Sequence, residues 1–285
     1  IQAVAGSPER LDSIIERLKQ QSLGLQKQRD DLLEAAGLLE IYRDDGHVCK
    51  RCEDTGYIGS TKCECFQKLL REAAFDALGA SHPQDCRFSN FSLDYYSPQP
   101  LANGVVPRQR MAQVKNFCSD YARDFFVERH SFSKAQSSPS LLFLGNTGLG
   151  KTHLSLAIAG QVINKGYGVI YGSAQNLLAK LEKEKFSFNN TEDQPQSYLS
   201  LVLECDLLIL DDLGTEFLSQ FVTAMLYNII NTRLLEGRPT IISTNLSFQE
   251  ISKRYTDRLT SRLFGGYMHF EFLGRDIRIQ SKIMG

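Results

Sequence analysis

From residue 111 onward, apolar and polar positions switch repeatedly between two periods. Met111–Phe126 carries its apolar residues at helical spacing, and Ser140–Gly145 is a short unbroken apolar run ending on glycine, the pattern of a buried strand. Lys151–Asn164 reads as a helix, Gly168–Tyr171 as a strand, and Ala174–Glu184 as a helix that Ser173 can cap. Leu207–Leu210 is a further buried strand, Ser219–Leu235 a long helix closed by Gly237, and Thr240–Ser243 a strand. Ser247 with Glu250 fits a capping box that opens another helix. Continuous apolar strands alternating with helices predict a mainly parallel sheet covered on both faces, so the expected fold class is α/β.

The first part of the chain has a different grammar. Leu11, Ile14, Ile15 and Leu18 recur at helical spacing, followed by Leu32, Leu33, Leu38 and Leu39 among charged residues. This pattern suits either a helical hairpin packed on its own domain or a surface for a partner. Residues 46–66 are rich in glycine and cysteine, and a helix-like stretch runs from Phe66 to about Leu78. Pro83, Pro98, Pro100 and Pro107, four of the eight prolines, fall within 79–110. The expected organisation is an N-terminal helical, cysteine-bearing domain over 1–85, a linker over 86–110 and an α/β domain over 111–285. No internal repeat is evident.

Composition narrows the function. Hydrophobic residues make up 42% and charged residues 23%, an ordinary globular balance. With 32 Lys+Arg against 33 Asp+Glu the net charge is −1, so nucleic acid cannot be coated by charge alone and any contact needs a local patch. No apolar run approaches the ~18 residues of a membrane span, and a soluble cytoplasmic protein is expected. The chain opens on Ile1 rather than Met, which leaves a removed targeting signal open. Seven cysteines, an odd number with four crowded between 49 and 65, fit metal binding in a reducing compartment better than a disulfide framework.

The strongest chemical signal is Gly145-Asn146-Thr147-Gly148-Leu149-Gly150-Lys151-Thr152, which satisfies G-x-x-x-x-G-K-[ST] at every fixed position. The glycines let successive N–H groups turn inward toward phosphate oxygens, and the helix that follows adds the positive end of its dipole. The expected ligands are ATP or ADP; Lys151 should reach the β- and γ-phosphates of ATP, and the Thr152 hydroxyl should ligate Mg2+. A strand precedes the motif and a helix follows it, the context it requires. The apolar run 207–210 then delivers Asp211 and Asp212 at its carboxyl end, where open α/β sheets bind ligands. Asp211 would hold magnesium directly or through water, and Asp212 could orient or deprotonate the attacking water. Glu216 is a weaker candidate for that role. Asn245, at the tip of the strand 240–243, could hold the water or sense the γ-phosphate. Arg258, Arg262, Arg275 and Arg278 could each oppose charge developing in phosphoryl transfer, or form surface ion pairs.

Cys49-x-x-Cys52 and Cys63-x-Cys65 stand ten residues apart. Two close pairs held on turns can converge on one tetrahedral Zn2+. His47 is a possible substitute ligand, and ordinary reduced cysteines or a redox pair are the alternatives. Cys86, Cys118 and Cys205 lie elsewhere and are expected to be unliganded.

Taken together, these elements resemble AAA+ ATPases of the bacterial replicative helicase-loader family, the DnaC/DnaI type, which includes the IstB-like ATPase partners of transposases. The residues that carry the likeness are Gly145–Thr152 continuing into His153-Leu154, Leu210-Asp211-Asp212-Leu213-Gly214, Ser243-Thr244-Asn245-Leu246, Arg258 to Arg262-Leu263, and Gly274-Arg275 to Arg278. The resemblance implies that Asn245 is the sensor-1 residue and that Arg262 is an arginine finger reaching a neighbour's nucleotide. It implies that Arg278 is the sensor-2 arginine acting in cis, with Arg275 close enough to compete. Phe88–Tyr96 resembles the segment that leads into the family's ATPase domain beside the base; simple core packing by Phe88 and Phe91 is the alternative. A finger acting in trans implies an ATP-dependent oligomer. Loaders of the DnaI type carry a similar cysteine module in the domain that grips the helicase, which transposase partners generally lack.

The resemblance further implies single-stranded DNA as a ligand. Lys180, Lys183 and Lys185 with Phe186 and Phe188 suit single strands, although the lysines also fit a solvated helix face. His82, His130, His153 and His269 form no ligand pattern. Three functions remain open: a loader of the replicative DNA helicase hexamer, an AAA+ partner of a transposase, and a nucleotide-switched adaptor with little turnover.

Overall fold

The computed structural model describes residues 20, 24–25, 27–37, 47–59, 61–66, 68–69, 86–128, 137–186 and 197–284. The periodic positions 11–18, most of the helix expected from Phe66 to Leu78, Phe188, His82 and His130 lie outside them. The chain forms two compact units, Ile1–Phe66 and Gln67–Gly285.

In the first unit, residues 27–35 are helical, with Leu32 exposed. Further on, β1 (Tyr57–Ile58) and β2 (Thr61–Lys62) pair antiparallel, with Tyr57 opposite Lys62. Tight turns precede the hairpin: Glu53 and Asp54 adopt positive φ of 50° and 59°, and the Asp54 carboxylate accepts the N–H groups of Val48 (3.0 Å) and Cys49 (2.8 Å). Those two donors hold the Asp54 carboxyl below its ordinary range.

The second unit is a three-layer α/β domain. Its strands are β3 (Ser140–Leu144), β4 (Val169–Ser173), β5 (Leu207–Leu213), β6 (Thr240–Thr244) and β7 (Tyr267–Glu271). They form one parallel sheet in the order β4-β5-β6-β3-β7. Successive side chains point to opposite faces. Leu141 and Phe143 therefore join Ile209 and Ile241 on one face, under α1 (Pro107–Arg123) and α2 (Lys151–Asn164). Leu142 joins Leu208, Leu210 and Ile242 on the other. That face is covered by α3 (Ala174–Phe186), α5 (Gln220–Leu235) and α7 (Asp257–Gly266). Because both faces are covered, the strands read as unbroken apolar runs, and each fully buried Leu or Ile contributes ~1.5–3 kcal/mol. The short helices α4 (Tyr198–Glu204), α6 (Phe248–Arg254) and α8 (Ile277–Met284) complete the unit. The capping box at Ser247 and Glu250 is formed, and Ser173 Oγ accepts the N–H of Asn176.

At the amino-terminal edge of the sheet, Arg233 is fully buried. Its guanidinium donates to the carbonyls of Val202, Leu203, Cys205 and Pro239 and to Thr240 Oγ1, at 2.7–3.0 Å. It therefore satisfies the open carbonyl end of α4 and the start of β6 with one side chain.

Residues 86–110 are not the linker that their prolines suggest. Phe91 and Tyr96 are buried in the core, and the Tyr96 hydroxyl donates to the Leu149 carbonyl at 2.9 Å. Pro107 sits in the first turn of α1, which therefore starts four residues before the expected Met111. Among the described residues no helix is long and apolar enough to cross a membrane.

Candidate functional site

The carboxyl ends of β3, β5 and β6 meet at a cleft of about 280 Å³. Residues 145–152 leave β3 and enter α2, turning through positive φ at Gly145 (144°), Gly148 (75°) and Gly150 (86°). Close approach as well as φ requires glycine here: a Cβ on Gly145 would lie 2.5 Å from the Phe272 carbonyl oxygen, and one on Gly150 would lie 2.7 Å from the Phe91 ring. The Ile277 N–H donates to the Gly148 carbonyl at 2.9 Å, pinning the loop to the start of α8.

Lys151 is buried, and its ammonium donates to the carbonyls of Gly145 (2.6 Å) and Asn146 (2.8 Å) and to Asn245 Oδ1 (2.7 Å). Burial draws its pKa down, while Asp212 and Asp211 oppose that shift. Thr152 Oγ1 donates to Asp211 Oδ2 at 2.7 Å. Asp211 is itself buried and accepts two further hydroxyls, Tyr171 on Oδ2 at 2.9 Å and Ser243 on Oδ1. A hydroxyl and a carboxylate held this close could serve one Mg2+ ion with water completing its shell. Asp212 has φ +53°, and the ladder between β5 and β6 shifts register between Leu210 and Leu213. This bulge turns Asp212 into the cleft while its N–H donates to Ser243 Oγ at 3.0 Å. Burial, then the charge of Asp211, raises the Asp212 pKa; Lys151 and Arg278 pull it back.

Thr147, Gly148, Leu149, Gly150, Lys151, Thr152, Asp212, Asn245 and Arg278 thus face one cleft, with Asp211 directly behind Thr152. Gly145 and Asn146 form the rear of the loop, facing a second cleft that Arg275 also lines. Arg262 is exposed on α7 and does not line this cleft. Glu216 is absent from that cleft too. It is 2% exposed, accepts the Gly214 N–H at 2.8 Å, and meets Tyr255 and Arg254. Opposite the loop, Asn90, Phe91, Ser92 and Tyr95 form a wall of the cleft, while Phe88 packs half-buried against the core. Sequence reasoning missed Tyr171 and Ser243 as partners of Asp211. Tyr171 lies two residues before the Ser173 that pairs with Asp211, so the strand register alone puts both on one face.

In the first unit the four sulfurs of Cys49, Cys52, Cys63 and Cys65 lie within 4.8 Å of one another, with Cys49–Cys63 at 3.7 Å and Cys52–Cys65 at 3.3 Å. A tetrahedral ion with Zn–S bonds of ~2.3 Å requires sulfurs about 3.8 Å apart, so the cluster fits zinc. The N–H groups of Arg51 and Cys52 lower the Cys49 thiol to about 7, whereas the hydrogen bond with Cys52, then burial, raises the Cys65 thiol. His47 is drawn to Asp54 (3.7 Å) and is outside the cluster.

The lysine stretch is partly engaged within the chain. Lys180 lies over the Tyr198 ring (3.9 Å) and Lys185 over the Phe221 ring (4.9 Å), and Phe186 meets Phe221 edge-on. His153 Nε2 lies 2.9 Å from the Arg87 carbonyl, a structural contact.

The fold and this loop define a class of ATP-binding protein, and the sequence profile of the family described as IstB-like ATP binding protein matches residues 117–270. The chain belongs to that family. It is 27% identical over 124 residues to the replicative helicase loader DnaC of Escherichia coli, covering 44% of this chain and 49% of that one. It is 28% identical over 148 residues to an insertion-sequence ATP-binding protein of Geobacillus stearothermophilus, covering 50% and 57%. The chain spans about half the length of the curated relatives it matches. Among solved structures, replication initiator DnaA bound to AMPPCP and single-stranded DNA has a TM-score of 0.50 at 22% identity, over 70% of this chain and 55% of that one.

Proposed function

We propose that this chain is an ATP-dependent loader that binds the replicative DNA helicase and deposits it on single-stranded DNA. In this reading the loop 145–152 holds the triphosphate, Lys151 contacts the β- and γ-phosphates, and Thr152 with Asp211 holds Mg2+. Magnesium, when bound, neutralises charge on the phosphates. Asp212 orients or deprotonates the attacking water, Asn245 fixes its position, and Arg278 opposes developing charge from the same subunit. Arg262, exposed away from its own cleft, serves a neighbouring copy, so that hydrolysis times the life of an oligomer. The N-terminal cysteine domain, holding zinc, grips the helicase in the cytoplasm.

The observation that carries the loader reading is the four-thiol cluster on a chain whose loop cleft also gathers Asp212, Asn245 and Arg278, the residues this reading gives to hydrolysis. A transposase partner needs the second but not the first, and an idle adaptor needs neither. The match to an insertion-sequence protein supports the transposition reading as the rival. The deciding experiment is a pull-down with the replicative helicase, comparing the full chain with its Cys49→Ser/Cys52→Ser variant. Capture by the parent and loss in the variant are expected. Equal failure of both, with capture of a transposase instead, would move the assignment to the rival.

A further inference from the structure

Glu216 follows the paired carboxylates by only four residues, yet its side chain turns away from the cleft. Its Oε2 accepts the Gly214 N–H at 2.8 Å, and its Oε1 accepts the Tyr255 hydroxyl and lies 3.5 Å from Arg254 Nε. The Arg254 guanidinium also donates to the Glu216 carbonyl at 2.5 Å. At 2% exposure Glu216 is a buried charge that is fully engaged.

Those partners define two ends of a connection. At one end Thr215 donates its N–H (3.2 Å) and its hydroxyl (2.8 Å) to the Asp212 carbonyl, closing a turn directly after the cleft carboxylate. Gly214 in that turn has φ +110°, and a Cβ there would lie 2.7 Å from Leu246, the residue next to Asn245. At the other end, Arg254 closes α6, and Tyr255 with Thr256 forms the whole junction to α7, whose first turn Thr256 caps through the Leu259 N–H. Tyr255 is the buried side chain of this junction. Arg258 and Arg262 stand on the ten-residue helix α7, so the placement of its first turn sets where both are presented.

We propose that Glu216 is a positioning residue for the arginine that α7 offers to a neighbouring copy. It ties the turn after Asp212 to the α6–α7 junction, so the nucleotide cleft of one subunit sets the aim of the finger it presents to the next. The inference rests on the reading of Arg262 as a finger in trans. Its consequence is specific: loss of Glu216 damages the neighbour's hydrolysis and leaves the subunit's own cleft competent.

Subunit mixing with full-length chains tests this. A Lys151→Ala subunit has a disabled cleft and an intact finger. Glu216→Gln alone should bind a fluorescent ATP analogue like the parent and lose about tenfold or more in turnover, the scale of one misplaced transition-state donor. Mixed one to one with Lys151→Ala, it should recover to about a quarter of the parent rate, the share of random head-to-tail pairings that join an intact cleft to an intact finger. Arg262→Ala mixed the same way should recover equally, and Asp212→Ala should not recover. Tyr255→Phe removes the same contact from the opposite side without touching the buried carboxylate. It should repeat the pattern with a smaller loss, which keeps the test decisive where Glu216→Gln folds poorly. Recovery of Arg262→Ala without recovery of Glu216→Gln and Tyr255→Phe overturns the inference and leaves the finger reading standing. Failure of Arg262→Ala to recover overturns the finger reading and the inference with it.

Discussion

The cysteine hairpin and the phosphate loop are both tight turns that aim small groups inward, but opposite forces hold them. The loop is anchored between β3 and α2, whose apolar residues are buried in the core, and Phe91 and Tyr96 press on it from outside. In the first unit, Cys52 and Cys63 are the buried hydrophobic side chains among the described residues, while Val48 is 96% exposed. A core can hold a site in shape with or without its ligand. A turn without a core borrows its stability from what the ligand cross-links. One region is a pre-shaped receptacle, and under the zinc reading the other depends on its metal to be a surface at all.

The largest effect expected from this contrast is on metal removal. Structural zinc in small modules contributes on the order of 10 kcal/mol. Stripping it with a chelator, or Cys63→Ser, should abolish amide protection across 47–66 and reduce bound zinc from one equivalent to none. Protection of the five-stranded sheet should be unchanged; hairpin amides that stay protected without zinc would erase the contrast. Next in size is Arg233→Met, which strands the four carbonyls now paired by the guanidinium and should cost ~3–5 kcal/mol in urea unfolding of the second unit. Zinc content should not move.

Lys151→Ala should lower ATP turnover by about 100-fold or more, the effect of removing a charged donor from a preorganised anion site, measured by phosphate release. Retained turnover would break the site assignment. Asp212→Asn should bind ATP normally and hydrolyse it slowly. Its pKa is raised, so the proton arrives at higher pH than on an ordinary carboxylate; parent turnover should fall on the acid side as pH drops through that raised value. An unchanged acid limb in Asp212→Asn would give that titration to another group. The smallest effect is expected from Tyr171→Phe. Losing one of three hydroxyls on Asp211 should cost ~1 kcal/mol, read as a several-fold change in the magnesium concentration needed for half-maximal turnover.

What could be read from the sequence follows the same divide. The strands over 140–144, 207–210 and 240–243 announce themselves because burial on both faces demands unbroken apolar runs, and the loop because its glycines and lysine have fixed spacing. β7 was not legible: Tyr267, Met268, His269, Phe270 and Glu271 mix polar with apolar residues, as an edge strand does. The Asp212 bulge was hidden because nothing local distinguishes a carboxylate that ends a strand from one that kinks it. Prolines at 98, 100 and 107 suggested a linker, whereas the aromatics between 88 and 96 hold that stretch to the core. Glu216 looked like a candidate for the cleft by spacing and is buried elsewhere, because its partners Arg254 and Tyr255 are remote in sequence.

The order β4-β5-β6-β3-β7 has a further consequence. Asp211, Asn245 and the loop 145–152 issue from three adjacent strands, and neighbouring strands keep a spacing of ~4.8 Å. The distances among the phosphate-facing groups are therefore inherited from the backbone ladder and are not adjustable one at a time. The wall formed by Asn90, Phe91, Ser92 and Tyr95 belongs to no strand. Under the nucleotide reading, this divides the cleft into a fixed gauge for phosphates and a replaceable panel for the base. Variants that change base preference without altering hydrolysis should map to Asn90, Ser92 and Tyr95, whereas Phe91 and Tyr96 also hold the loop.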